Sequence, residues 1–301
     1  MGQAVINAAY KHFAKVSDRI RANPNMELEQ LRFLLEEMHV LTAEPTDVTY
    51  EEVDAGGVPA IFAKPIGAAS DRVIVYTHGG GCVTNSAQSH RKLAAHLAKA
   101  AGVHSLVLDY RLAPEHTFPA QIEDTVAAHR WLRSHGYTAA HTATAGDSAG
   151  GNLAITSVLK LRDLGEQLPA AVIAISPWLD MEARGESFET NADSDVLVSR
   201  ELSLNMSGTY LGNASRSDPL ANPLNANLKR FPPVFVTVGD AETLMSDGER
   251  FVKHAKAADV DTVLEYGRGQ QHIYQIMAGR SAEADASIAA MAAWLRLRLG
   301  L

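Results

Sequence analysis

HTATAGDSAGGNLAITSVLKLRDL, residues 141–164, is the stretch on which the fold turns. Its opening HTATA reads as a short strand, and GNLAITSVLKLRDL reads as a helix. Between them stands Gly146-Asp147-Ser148-Ala149-Gly150, a G-x-S-x-G pattern placed where a strand must turn sharply into a helix. Such a turn is crowded, and side chains at its flanks would clash with neighbouring backbone, which accounts for the two glycines. It lifts the Ser148 hydroxyl above the sheet edge, at a helix start whose amides favour developing negative charge. A Gly-rich turn with a capping serine would use the same residue types. The strand-turn-helix setting favours the chemical reading, with Ser148 as nucleophile.

Outward from this turn the chain alternates short β-branched runs with helical stretches. The runs are RVIVYT (72–77), HSLVLDY (104–110), HTATAG (141–146), AVIAIS (171–176), PVFVTVG (233–239) and DTVLEY (261–266). Helices are expected at 89–101, 120–135, 149–164, 246–258 and 281–299. Runs apolar on both faces and separated by helices predict a parallel sheet covered on both sides, an α/β architecture. Val48 to Lys64 reads as a hairpin turning at Gly56-Gly57. Residues 1 to about 43 read as two amphipathic helices broken at Asn23-Pro24, the second carrying Leu28, Leu31, Leu34, Leu35 and Met38 at helical spacing. More than fifty residues between Ser176 and Pro233 hold no clear strand, and an insertion that long is usually functional. The expectation is one domain over residues 1–301, capped by about 1–43 and 177–232.

His78-Gly79-Gly80-Gly81 follows the strand RVIVYT directly. Acyl transfer passes through a tetrahedral oxyanion, and each backbone amide aimed at it contributes about 2.7–4 kcal/mol. Consecutive glycines let a backbone turn its amides to one point, so Gly80, Gly81 and Ala149 are the expected donors. A phosphate loop would end its glycines in Lys-Ser/Thr, whereas Cys82-Val83 follows here.

With HGGG (78–81), DYRLAPEHTFPA (109–120), GDSAGGN (146–152), SPWLD (176–180) and PPVFVTVGDAETLMSDG (232–248) in place, the chain resembles the bacterial hormone-sensitive-lipase-like carboxylesterases, or family IV. Monoterpene lactone hydrolases look similar in some of the same motifs. The resemblance spans about residue 72 to the C-terminus. It implies an α/β-hydrolase fold with an eight-stranded, mostly parallel sheet, a helical cap, and hydrolysis of short-chain acyl esters without a cofactor. Lactone or amide hydrolysis on the same machinery, or a non-catalytic small-molecule-binding member of the fold, are the alternatives. Dimers occur among similar esterases, which leaves a homodimer open.

In this fold the order is Ser, acid, His, with the histidine on the loop after the last strand. Among twelve histidines only His272 follows DTVLEY, so it is the expected base, while His78 and His254 read as structural. Asp240, Glu242 and Asp247 all follow PVFVTVG. The family pattern G-x-x-D-P-L-x-D-x-G, laid on 239–248, puts Glu242 at the catalytic acid, with Asp240 as the alternative. Here Glu replaces Asp and Thr243 replaces Pro; an acid that orients an imidazolium tolerates the first change. Asp240 otherwise serves a turn and Asp247 caps a helix. Asp109-Tyr110-Arg111 is expected to brace the glycine loop, Cys82 to be a small buried residue shaping the acyl pocket, and Met206 and Tyr210 to serve helix packing, with lining the pocket as their alternative.

Composition narrows the rest. A net charge of −8 and a pI near 5.8 give no basic footprint for nucleic acid. Cys82 is the one cysteine, so no intramolecular disulfide forms. No cluster has metal-ligand spacing, and no run is long enough to span a bilayer. The N-terminus lacks the apolar core and cleavage site of a signal peptide. MGQAVI has Ile6 where a myristoylation site needs Ser or Thr. A cytoplasmic protein acting on a small-molecule ester is expected.

Overall fold

Strands β1 (Val48–Asp54), β2 (Pro59–Pro65), β3 (Ala69–Thr77), β4 (Val103–Leu108), β5 (Thr142–Asp147), β6 (Ala171–Ile175), β7 (Val234–Gly239) and β8 (Thr262–Gly267) form one sheet. Their spatial order is β1-β2-β4-β3-β5-β6-β7-β8. The computed structural model describes residues 7–23 and 25–301; the opening hexapeptide and Pro24 of the expected helix break lie outside the described residues. β2 runs antiparallel to both β1 and β4, and every pairing from β4 through β8 is parallel. The β1–β2 hairpin turns through Gly56 and Gly57, at φ 78° and 91°.

The central strands are buried on both faces, as their apolar runs require. Along β3, Ile74 and Tyr76 enter one core layer while Val73 and Val75 enter the other, the period of two that a strand imposes. α1 (Ala8–Ala22), α2 (Leu28–Glu36), α3 (Ala87–Ala101) and α9 (Ala282–Arg298) cover the first face, through Phe13, Leu34, Leu97 and Leu295 among others. α4 (Ala120–Ser134), α5 (Ala149–Asp163) and α8 (Met245–Ala257) cover the second, through Ile122, Leu153 and Phe251.

One region departs in detail from the expected pattern. The second N-terminal helix ends as an α-helix at Glu36 and tightens into a 3₁₀ turn over Glu37–Leu41, a common finish that still buries Met38 and Leu41. The strand-free insertion holds α6 (Ser187–Thr190), α7 (Arg200–Leu211) and a 3₁₀ turn at Pro223–Asn225. Ser199 caps α7, its hydroxyl accepting the Leu202 amide.

The chain leaves β3 toward β4 on one side and later returns to β5 on the other. That reversal opens a crevice beyond the carboxyl ends of the parallel strands, where open α/β sheets bind ligands. HGGG leaves the end of β3, and Ser148 leaves the end of β5.

Candidate active site

Ser148 sits at φ 54° and ψ −121°, a backbone state that costs an L-residue on the order of 1–3 kcal/mol. Its surroundings hold it there. The Ser148 amide donates to Ile175 O at 2.9 Å, and its carbonyl accepts from Trp178 N at 3.0 Å. A Cβ on Gly150 would stand 2.0 Å from Thr77 O, and one on Gly146 would stand 2.3 Å from Gly150 O, so neither position admits a side chain. Beneath the serine, Asp147 is wholly buried and accepts from Tyr76 OH at 2.8 Å, with His90 Nε2 3.2 Å away. Burial works against its charge, but His90 and Tyr76 outweigh that and keep the carboxyl below its usual range.

Across the crevice, Gly80 and Gly81 adopt φ 106° and 65°. The Gly80 carbonyl accepts from Val83 N and Thr84 N, both at 3.0 Å, which folds the loop back on itself. Among the described residues the amides of Gly80 and Gly81 donate to no protein acceptor. Tyr110 stacks on His78 with ring centres 4.1 Å apart and donates to His78 O at 2.6 Å. Ala113 N donates to Cys82 O at 2.9 Å, so the DYRLAPE segment does brace the glycine loop. Burial lowers the His78 pKa to about 3 and keeps the ring neutral. α2 adds a clamp: Arg32 donates to Val83 O and Ala113 O while pairing with Glu115. Cys82 differs from expectation in part. It is buried, but in the core beside Tyr110 and Tyr210 rather than on the cavity wall, and burial pushes its thiol pKa up.

His272 and Glu242 meet although β8 lies between their loops. His272 Nδ1 stands 2.8 Å from Glu242 Oε2, and Glu242 Oε1 accepts the Gly239 amide at 3.2 Å. Both side chains are buried. Burial raises the Glu242 pKa, with the neighbouring His272 opposing. Burial also disfavours charging His272, yet the hydrogen bond and charge of Glu242 prevail and hold the imidazole above its ordinary value. Ser148 and His272 line the same cavity, with no direct hydrogen bond between them. Resting sites often keep this contact loose until substrate binds.

Asp240 faces another way: it accepts the Gly269 amide and lies 3.6 Å from Arg268, the turn role expected of it. Asp247 is a correction. It does not cap its own helix but accepts the amides of Leu179 and Asp180, each at 2.9 Å, tying α8 to the insertion. His254 Nε2 lies 2.7 Å from Ala226 O, a structural contact. Ser176, at φ 44°, takes the Ile273 amide on its hydroxyl at 3.0 Å, fixing the histidine loop. Sequence reading missed that contact, and missed Asn191, Ser194 and Asp195, which hold the Glu242 loop from the insertion. Only the SPWLD motif pointed near any of them.

The cavity is mainly apolar. Leu35 and Met38 come from the N-terminal segment, Leu197, Leu202 and Met206 from the insertion, and Trp178 and Ile273 from the sheet side. Met206 is therefore a wall residue, the alternative to the packing role expected first for it. Tyr210 does serve packing, edge-on to Phe118. Among the described residues no group of His, Cys, Asp and Glu could hold a metal ion, and no helix is long and apolar enough to cross a membrane.

A protein-family model described as alpha/beta hydrolase fold matches residues 74–276. An acetyl-hydrolase of Streptomyces hygroscopicus is 35% identical over 261 residues, 86% of this chain and 85% of its own length. The crystal structure of an esterase from the bacterial hormone-sensitive lipase family superposes with a TM-score of 0.90 at 42% identity, over 96% of this chain and 99% of that one. A hormone-sensitive lipase from a metagenome library gives 0.90 at 33% identity, over 96% and 98%. With its motifs, its eight-stranded sheet and these likenesses in agreement, the chain belongs to the hormone-sensitive-lipase-like carboxylesterases of the α/β-hydrolase fold.

Proposed function

We propose that the chain hydrolyses short-chain carboxylic esters through an acyl-enzyme, with Ser148 as nucleophile, His272 as base and Glu242 as acid. The observation that carries this reading is the buried Glu242–His272 contact of 2.8 Å opening onto the apolar cavity that Ser148 lines.

His272 accepts the Ser148 proton on Nε2 as Oγ bonds to the ester carbonyl carbon. The carbonyl oxygen becomes an oxyanion, taken up by the amides of Gly80, Gly81 and Ala149. Glu242 holds the tautomer with Nδ1 protonated and stabilises the imidazolium. The tetrahedral centre collapses, the bond to the alkoxide breaks, and His272 protonates the departing alcohol. Water then gives its proton to His272 while attacking the acyl carbon. Collapse frees the carboxylic acid, and the proton returns to Ser148.

Residues 1–43 and 177–232 serve as the cap in this reading, supported by the side chains that both segments send to the cavity wall. Ser148→Ala should abolish turnover with the thermal transition nearly unchanged, and a phosphonate should leave one adduct per chain, on Ser148. A variant keeping a tenth of wild-type kcat overturns the assignment.

A further inference from the structure

The insertion contributes one buried carboxylate that the acyl-transfer scheme does not use. Asp195 is 7% exposed and lies just before α7. Its Oδ2 accepts from Thr243 N at 2.7 Å and from Thr243 Oγ1 at 3.0 Å. Its Oδ1 accepts from Leu197 N at 2.9 Å and Val198 N at 2.8 Å. All four contacts are donors, which is what an ionised carboxylate accepts. Among the described residues no Lys, Arg or His pairs with it. Buried charges are ordinarily matched by an opposite charge or by hydrogen bonds; this one is matched by neutral donors alone, and its net charge stays uncancelled beside the site.

Asp195 joins two things. One oxygen grips Thr243, the residue next to Glu242, and the other orders Leu197 and Val198, which line the cavity. Neighbours reinforce the first grip: Asn191 Nδ2 donates to Glu242 O at 2.8 Å, and Ser194 Oγ donates to Ala241 O at 2.9 Å. The same strip reaches the histidine loop, because Gln271 accepts from Val196 N and donates to Ser194 O.

We infer that Asp195 is a positioning residue for ester hydrolysis, tying the acid loop to the cap and supplying a second negative charge behind the Glu242–His272 pair. The inference rests on the proposed triad. His272 touches Glu242 from the β7 loop and also feels the negative charges of Asp195 in the insertion and Asp147 at the end of β5. Every one of these carboxylates favours the imidazolium that forms as Ser148 attacks. Asp195 adds to that field without touching substrate, and it fixes the backbone on which Glu242 stands.

Asp195→Asn removes the charge at nearly the same shape, and its NH₂ must then face either the Thr243 donors or the Leu197 and Val198 amides, a local cost that lowers stability without itself moving a titration. The variant should lower kcat roughly tenfold, the effect of one modest interaction lost in the transition state, with KM within about twofold. The acid limb of kcat/KM should move to lower pH, because His272 has lost one carboxylate that favours its proton. A purely structural residue would lower Tm and leave that limb in place. Asp195→Glu should recover the limb in part. An unshifted limb with kcat near wild type overturns the inference.

Should Asp195→Asn fail to fold, Thr243→Val tests the same tie from the other side by removing the hydroxyl donor. A fall in kcat with KM retained is then expected, and unchanged kcat counts against the tie. Ser148→Ala measured alongside separates the two readings. A dead Ser148→Ala with a normal Asp195→Asn refutes the positioning role alone, whereas an active Ser148→Ala refutes the triad.

Discussion

Thirty residues apart in the chain, Glu242 and His272 stand 2.8 Å from one another, carboxylate to Nδ1, with neither side chain open to solvent. Asp240, two residues before Glu242, spends its carboxylate on the Gly269 amide and faces Arg268. The alternative acid thus belongs to the outside of the same loop. A loop that turns one side chain inward and the other outward gives two neighbouring carboxylates different work.

Glu242→Gln should therefore cripple turnover while Asp240→Asn costs little. A neutral amide neither enforces the tautomer nor stabilises the imidazolium; the corresponding change in a serine protease costs about 10⁴-fold, and a looser triad loses less. Glu242→Asp should fall between, since its carboxylate survives one methylene short. Steady-state kcat for the three variants, each first checked for folding, decides the matter. The reverse ranking would make Asp240 the acid.

The pH profile follows from the same pair. In the proposed mechanism His272 must be neutral to accept the serine proton, and Glu242, against the effect of burial, holds its pKa above the ordinary value of about 6.5. Activity should fall as pH drops through that raised value, so the acid limb of kcat/KM should lie above about 6.5. Glu242→Gln should move what activity remains toward lower pH. A wild-type limb well below pH 6 would contradict the structure.

What was legible in the sequence was what the chain builds locally. Ser148 and the HGGG glycines follow their strands directly, so strand, turn and helix spacing sufficed to single them out as candidates. His272 was singled out as the candidate base by chain order, and Glu242 as the candidate acid only by laying a family pattern over three nearby carboxylates. Asp195 was not legible, because its partner Thr243 is 48 residues away and no periodicity connects a strand-free insertion to a β7 loop. For Met206 the sequence put packing ahead of pocket lining for a related reason: α7 shows no strong apolar stripe to mark the face that turns to the cavity. The role of Asp247 was misread as local, because a helix-start aspartate usually serves its own amides and this one serves a distant pair.

Acyl length should respond to Met206. A Cβ on Gly81 would stand 3.0 Å from Met206 Sδ, so this thioether presses against the glycine loop. With Trp178 and Leu202 it lines the cavity that Ser148 also lines, and under the proposed mechanism its bulk sets how long an acyl chain fits. Wild type should prefer acetyl to hexanoyl esters over long chains. Met206→Ala should shift the ratio of kcat/KM for octanoyl over butyryl esters upward by roughly tenfold, the lower end of what a methylene-scale pocket change gives. An unchanged ratio would place the acyl chain elsewhere.

Asp247 yields a stability prediction with a defined sign. It is wholly buried at the start of α8, accepts the Leu179 and Asp180 amides, and has Arg250 only at 3.8 Å, since Arg250 pairs with Asp180 at 2.7 Å. Burial first, then the charge of Asp180, push its pKa up to about 7. The unfolded value is about 3.9, so between the two the folded protein holds a proton that the unfolded chain has released. The contribution is present in full below about pH 4, declines as pH rises, and is lost once pH passes about 7. Asn at this position stays neutral throughout and keeps an oxygen for the two amides, so it escapes the decline. Its NH₂ would face Arg250, a cost that does not vary with pH, and the informative quantity is therefore the slope. Stability of Asp247→Asn relative to wild type should improve from pH 5 to pH 8 by on the order of 2–3 kcal/mol, read from denaturant unfolding at a series of pH values. A difference between the two proteins that stays constant across that range would mean Asp247 keeps its charge when buried, with Arg250 closer in solution than 3.8 Å.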